Sequence, residues 1–205
     1  MTHRTLEAIV NDQVQRWRLE MARARQMRQT ACGRLPVITI SRTLGSGGND
    51  IARRVAERMG CQMFYGEVLD RIAESAEVRR SVVEALDESG RTRLEQWIEG
   101  MLEQQIFDED DYYHHLVQVI LTLAEPGNVV FLGRGANYIL QDQLTLNVRL
   151  IAPFEIRVER IRARENLTRE QAEKRVRKSD SDRTRFIRRL FRQEWADPEA
   201  YHLVI

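Results

Sequence analysis

Residues 37–60 read VITISRTLGSGGNDIARRVAERMG, a β-branched run, clustered glycines and an amphipathic stretch in an order that leaves few folds open. Val37-Ile38-Thr39-Ile40 follows Pro36 and predicts a short buried strand. Ile51, Ala52, Val55, Ala56 and Met59 then fall on one helical stripe, and Gly60 stands where that helix should stop. Between strand and helix, Gly45, Gly47 and Gly48 permit positive φ and close approach, so several N–H groups and a helix N-terminus converge on one anion. A glycine-rich βα turn that binds nothing is the competing reading.

The usual phosphate loop, G-x-x-x-x-G-K-[ST], is not spelled here. With Gly47 as its second glycine, Arg42 takes the place of the first, Gly48 that of the lysine and Asn49 that of the hydroxyl residue. Lys174 and Lys178 are the two lysines among 32 basic residues, so a cation on phosphates is expected to be arginine, with Arg42 and Arg53 nearest.

With 205 residues and 42% hydrophobic content, the chain suffices for one domain with a buried core. Its net charge of +1 gives no overall field of the kind that draws nucleic acid, so nucleic acid is disfavoured as a partner. Cys32 and Cys61 make no metal or disulfide framework, and no apolar run nears the ~20 residues of a membrane span. Lacking a secretory signal, the sequence reads as cytoplasmic, with no membrane partner.

Residues 5–31 carry a stripe of Leu6, Val10, Val14, Trp17 and Met21, with Arg16, Arg18, Arg23, Arg25 and Arg28 around it. A basic membrane or RNA helix and a dimerisation arm are readings of this extension, residues 1–35. A helix packed on the core is favoured, because Glu7, Asp12 and Glu20 dilute the positive face. A second strand is expected at Gln62–Tyr65, then a helix from Glu67 to about Ala76 with Val68, Ile72 and Ala73 inward. Tyr65 ends its strand on the edge where ligands gather in open parallel sheets, as a base or phosphate contact or as a half-buried aromatic.

Residues 80–106 are charged and helical, with Leu94, Trp97, Ile98, Met101 and Leu102 on one face, and residues 80–125 look like an insertion between core strands. The run Asp108-Glu109-Asp110-Asp111 suits the N-terminus of a helix over Tyr112–Leu123 better than a magnesium site. His114 and His115 are adjacent and cannot share a helix face, so no metal ligand set is assigned. Asn128–Leu132 is the most strand-like run and ends in Gly133-Arg134-Gly135. An arginine there is placed to fork onto a phosphate, the other reading being a buried arginine paired with an acid.

Leu146–Ala152 predicts a fourth strand, and Pro153 opens a helix over Glu155–Glu165 bearing Arg157, Arg160, Arg162 and Arg164. Thr168 with Gln171 makes a capping box. The helix it starts runs into an arginine-rich segment, Arg175 to Arg192, expected to be mobile and to close over polyphosphate as a lid at residues 165–192. Phe186, Phe191 and Trp195 are too sparse for the aromatic interleaving of an RNA surface. Tyr201–Ile205 is expected as a fifth strand.

Five strands alternating with helices, a glycine-rich first turn and an arginine-rich late lid describe a P-loop NTPase of the nucleoside monophosphate kinase type, an α/β three-layer sandwich on a parallel sheet. ITISRTLGSGG, GRGANYIL, APFEIRVERIRARE and SDSDRTRFIRRLF followed by DPEAYHLVI resemble the cytidylate-kinase-like family from about Val37 to Ile205, a domain set at 36–205. The resemblance implies ATP and Mg²⁺ as cofactors, nucleotides as small-molecule partners, and phosphoryl transfer to a nucleoside monophosphate, CMP or dCMP foremost. It places donor phosphates on Gly45, Ser46, Gly47, Gly48, Asn49 and Asp50 with Arg157 and Arg160 nearby. Arg42, Arg134, Arg183 and Arg185 are the implied catalytic cations, and Tyr65, Arg134, Lys178 and Asp182 the acceptor contacts. Gly135 stands where the family motif has aspartate, and Lys178 where it has arginine. A silent nucleotide sensor and an RNA-binding module are the other function classes. A homodimer through the N-terminal helix or residues 80–125 is left open.

Overall fold

A computed structural model describes residues 5–28, 36–86, 88–103, 111–140 and 145–205. Strands β1 (Val37–Arg42), β2 (Gln62–Tyr65), β3 (Val129–Leu132), β4 (Thr145–Leu150) and β5 (Leu203–Val204) form a parallel sheet in the order β2-β3-β1-β4-β5. This is the expected five-stranded α/β sheet. The fifth strand is shorter than Tyr201–Ile205, and its residues are exposed at the sheet's edge.

Successive side chains leave opposite faces of a strand, and both faces here are covered. Ile38 and Ile40 of β1, Met63 of β2, and Val130 and Leu132 of β3 pack with Ala52 and Ala56 of α2 (Gly48–Met59). Val37, Phe64, Val129 and Phe131 face the other way, onto α1 (Leu6–Arg28), α3 (Gly66–Glu74) and α6 (Asp111–Ala124). Thr39 breaks the apolar alternation and donates to Asn147 Oδ1 at 2.7 Å, satisfying a buried hydroxyl.

The N-terminal stripe packs as expected: Val10, Val14, Trp17 and Met21 are buried, and Trp17 Nε1 donates to the Leu123 carbonyl at 3.2 Å. Residues 29–31 of that predicted helix lie outside the described residues, as do 108–110 of the acidic run. Helices α4 (Ala76–Val83) and α5 (Glu88–Glu103) follow α3. Residues 111–124, expected within an insertion, supply the helix that covers one sheet face, with Leu116, Val117, Val119, Ile120 and Leu123 fully buried.

The arginine-rich region departs from expectation. Helix α7 (Ala136–Ile139) follows β3, and α8 (Phe154–Glu165) follows β4. α9 then runs unbroken over Arg169–Phe191, 23 residues, starting from the Thr168–Gln171 capping box. No glycine or proline interrupts it, and Ala172, Val176, Ile187, Leu190 and Phe191 bury one side. The segment expected as a lid is thus one long helix that packs on α8 through a small core of Val158, Ile161, Ala172 and Val176 beside Leu44. Among the described residues no helix is long and apolar enough to cross a membrane.

Candidate active site

β1 and β3 are neighbours, and beyond their carboxyl ends lie the glycine-rich turn and Gly133-Arg134-Gly135. In open parallel sheets this crevice is where ligands bind. The turn needs its glycines: Gly45 has φ 84° and Gly47 has φ 85°. A Cβ on Gly45 would stand 2.7 Å from the Arg157 carbonyl oxygen, so α8 is seated directly on the turn. Ser46 Oγ donates to the Thr43 carbonyl at 2.9 Å and accepts from Gly48 N–H at 3.3 Å, which fixes the entry into α2.

Arg42 runs across this crevice. A Cβ on Gly48 would stand 2.5 Å from Arg42 Cβ and 2.9 Å from Cγ, and a Cβ on Gly133 would stand 2.5 Å from Arg42 Nη1. Its stem thus fills the space that any side chain at position 48 requires, the lysine's position in the usual loop. Arg42 Nε donates to Asn49 Oδ1 at 3.1 Å. Burial first, then the charges of Arg183 and Arg134, lower its proton affinity to about 10, against a smaller opposing pull from Glu67.

Arg134 adopts φ 55°, in the left-handed region, between its two glycines. Its Nε donates to Asp70 Oδ1 at 2.6 Å and its Nη2 to Asp70 Oδ2, while its guanidinium lies 5.3 Å from the Phe186 ring centre. Tyr112 Oη also donates to Asp70 Oδ1, at 2.6 Å. The hydrogen bonds to Asp70 raise the proton affinity of Arg134 more than burial lowers it. Arg183, from α9, donates to Ser179 Oγ at 2.8 Å and faces the Trp195 ring at 5.9 Å. Burial is the main cause of its lowered proton affinity, opposed by the charge of Asp180 and reinforced by Arg134, Arg157 and Arg175.

Arg42, Arg134, Asp182, Arg183, Phe186 and Trp195 share one cavity of about 300 Å³. Among the described residues neither Arg42 nor Arg183 has a carboxylate at ion-pair distance, so the cavity carries positive charge that its walls do not cancel. Among those residues, too, no group of three or more His, Cys, Asp or Glu is arranged to hold a metal ion.

A family model described as the cytidylate kinase-like family matches residues 37–205. The chain belongs to that family. A cytidylate kinase from Methanopyrus kandleri is 27% identical over 178 residues, covering 82% of this chain and 83% of that protein. A cytidylate kinase from Ignicoccus hospitalis is 25% identical over 172 residues, covering 83% and 89%. The crystal structure of an uncharacterized protein from Eubacterium ventriosum has a similar fold, with TM-score 0.64 at 22% identity and 84% of this chain and 88% of that chain covered.

Within this cytidylate kinase-like chain the sequence-derived candidates separate. Arg42, Arg134, Asp182 and Arg183 come together at the cavity, beside the turn of Gly45, Ser46, Gly47, Gly48 and Asn49. Arg160 reaches the turn from α8, donating to the Gly45 carbonyl at 3.2 Å. Arg157 does not present its guanidinium there: the residue is 7% exposed, and its Nη1 donates to both oxygens of Asp180 at 2.9 and 2.8 Å. Asp50 pairs with Arg53 on the exposed side of α2. Lys178 is exposed on α9 and absent from the cavity wall, and Arg185 is exposed 3.7 Å from Asp182. Tyr65 is half-buried, packed among both apolar clusters rather than on the cavity.

Sequence reasoning missed Asp70 and a site role for Tyr112, and it named Arg175 and Ser179 only within the lid segment. The expectation that Arg134 serves either a phosphate or a buried acid was a pointer to Asp70. The structure shows the pairing with an acid, Asp70, and places Arg134 on the cavity wall.

Proposed function

We propose that the chain transfers the γ-phosphoryl group of ATP to a nucleoside monophosphate, with CMP or dCMP the foremost acceptor. The observation that carries this reading is the meeting of Arg42, Arg134 and Arg183 around one cavity beside the glycine-rich turn, with two of the three depressed in proton affinity. Guanidiniums that repel one another are stabilised by a polyanion placed among them, and phosphoryl transfer asks a protein mainly for position and charge.

Bound ATP with Mg²⁺ supplies the phosphoryl group. Gly45 and Gly47, both left-handed, and the N-terminus of α2 make a backbone cradle suited to its phosphates. A Cβ at Gly47 would meet nothing nearer than Arg160 Nη1 at 3.8 Å, so that side of the turn has room. The hydroxyl of Ser46 is engaged within the turn, and Mg²⁺ in this reading is held chiefly by phosphate oxygens and water. Arg42 supplies the charge that lysine supplies in the usual loop. Arg134 and Arg183 neutralise the acceptor phosphate and the charge that builds during transfer, and Asp182 faces the acceptor's base.

A second reading, nucleotide binding without turnover, draws on Arg42 being tied to Asn49 by its Nε and on the lack of a loop lysine. A coupled ATP-consumption assay with Mg²⁺ across CMP, dCMP, UMP, AMP and no acceptor separates the two. The kinase reading expects turnover with a cytidine acceptor, lowered about 10²–10³-fold by Arg134→Ala. Calorimetric ATP binding with no turnover on any acceptor favours the second.

A further inference from the structure

Arg134 is held from three directions. Its left-handed backbone lies between two glycines, Asp70 engages its Nε and Nη2, and the Phe186 ring stands 5.3 Å from its guanidinium. Gly66, at the start of α3, leaves room for the stem: a Cβ there would stand 3.2 Å from Arg134 Cγ. A guanidinium offers five N–H donors in a fixed fork, so a carboxylate on the Nε–Nη2 edge leaves Nη1 unspent by that pair. Arg134 also lines the cavity.

Asp70 is itself fixed. Its Oδ1 accepts from both Arg134 Nε and Tyr112 Oη, each at 2.6 Å, and its side chain is 21% exposed. Tyr112 is the second residue of α6, and burial first and then Asp70 push its phenol well above the ordinary tyrosine range. At neutral pH it is therefore a hydroxyl donor. One chain of contacts joins α6, α3 and the end of β3.

We propose that Asp70 and Tyr112 are positioning residues that aim Arg134 at the acceptor's phosphate, so that the segment between β2 and β3 sets acceptor affinity from outside the cavity. The proposal rests on the phosphoryl-transfer reading for the identity of the acceptor, but the aiming itself concerns any phosphate monoester bound at Arg134. Freed of Asp70, the arginine keeps its charge and loses its direction. Acceptor binding suffers, while the ATP phosphates, lying over the turn at Gly45–Gly48, do not depend on that edge. Tyr112 acts one bond further out, so its loss acts in the same direction and less.

The test compares wild type, Asp70→Asn, Tyr112→Phe and the double variant by calorimetric titration with CMP, with inorganic phosphate and with ATP, beside initial-rate kinetics and thermal melting. Asp70→Asn is expected to weaken CMP and phosphate about 10–100-fold and to raise the CMP KM in proportion, with the ATP dissociation constant unchanged. Tyr112→Phe is expected to weaken CMP about 3–10-fold, and the double variant no more than Asp70→Asn alone, because both act through Arg134. Equal losses for ATP and CMP would show a merely structural role and overturn the proposal, as would CMP affinity unchanged in both single variants. A wild-type protein that binds CMP and phosphate without turnover removes the kinase reading but leaves the positioning readable in the titrations. A wild-type protein that binds neither overturns the anion site and the proposal with it.

Discussion

Two arginine-rich regions of this molecule do opposite things with the same side chain. On the α8–α9 hairpin, arginines meet acids: Arg157 meets Asp180, Arg162 meets Glu159, Arg175 meets Glu165, and Arg169 meets Glu155, Glu159 and Glu173. At the β1–β3 edge, among the described residues, Arg134 alone of the three has a carboxylate at ion-pair distance, while Arg42 and Arg183 feel the repulsion of neighbouring arginines, offset for Arg183 in part by Asp180. The hairpin's pairs close their own electrostatics, although the same α9 also carries Arg183 to the cavity. The second leaves a positive cavity whose missing counter-charge is the ligand's, at some cost to the unliganded fold.

Several substitutions would break or sharpen that contrast. The largest effect is expected from Gly48→Lys, which restores the usual loop spelling but drives a Cβ into the Arg42 stem at 2.5 Å. It should abolish measurable turnover and destabilise the fold by about 1–3 kcal/mol in chemical denaturation. Arg42→Gly in the same chain, which removes both the Cβ and the Cγ that the new side chain meets, should relieve both effects and bring turnover back to a measurable level, the non-additivity of residues that share one space. Full turnover in Gly48→Lys without Arg42→Gly would mean that the stem moves aside freely and does not exclude the lysine.

Next in size is Arg42→Gln. A guanidinium whose proton affinity is lowered on folding from the ordinary arginine range to about 10 disfavours the fold by at most about 3 kcal/mol, and its partial exposure brings the expected gain to about 1–2 kcal/mol. The unliganded variant should melt higher while losing about 10²–10³-fold in turnover.

The pH dependence follows with a definite sign. As pH rises through about 10 the folded chain gives up the Arg42 proton before the unfolded chain does, so this group's contribution to stability rises with pH there. Pyrophosphate affinity of the wild type should run the other way, falling as pH passes about 10, and the fall should be absent in Arg42→Gln. A titration at pH 8, 9, 10 and 11 reads it.

The smallest effect belongs to the hairpin. Arg169→Ala removes an exposed network and should leave the melting temperature and the kinetic constants nearly unchanged. A large kinetic loss there would erase the distinction between the two regions.

The strand, turn and helix over 37–60 were legible because glycine placement and apolar period leave few alternatives, and the five strands followed from short β-branched runs. The unbroken α9 was harder, since Ser179, Asp180, Ser181 and Asp182 suggest a break that the buried Val176 and Ile187 on either side override. At the site, Arg42, Arg134 and Arg183 were readable as candidates because they lie next to glycines or within a dense basic run. Which arginines are already neutralised was not readable: Arg157 and Asp180 stand 23 positions apart, Arg134 and Asp70 64 apart. Only the fold brings such pairs together, and the pairing decides which charge remains for a ligand.

The most direct measurement is the melting temperature of the unliganded protein and its turnover with ATP and CMP, taken side by side for wild type and Arg42→Gln. An anion site left charged by its own walls predicts a higher melting temperature and lost turnover in the variant. A lower melting temperature with turnover intact would mean that Arg42 is a structural arginine and that the cavity's charge serves no phosphate.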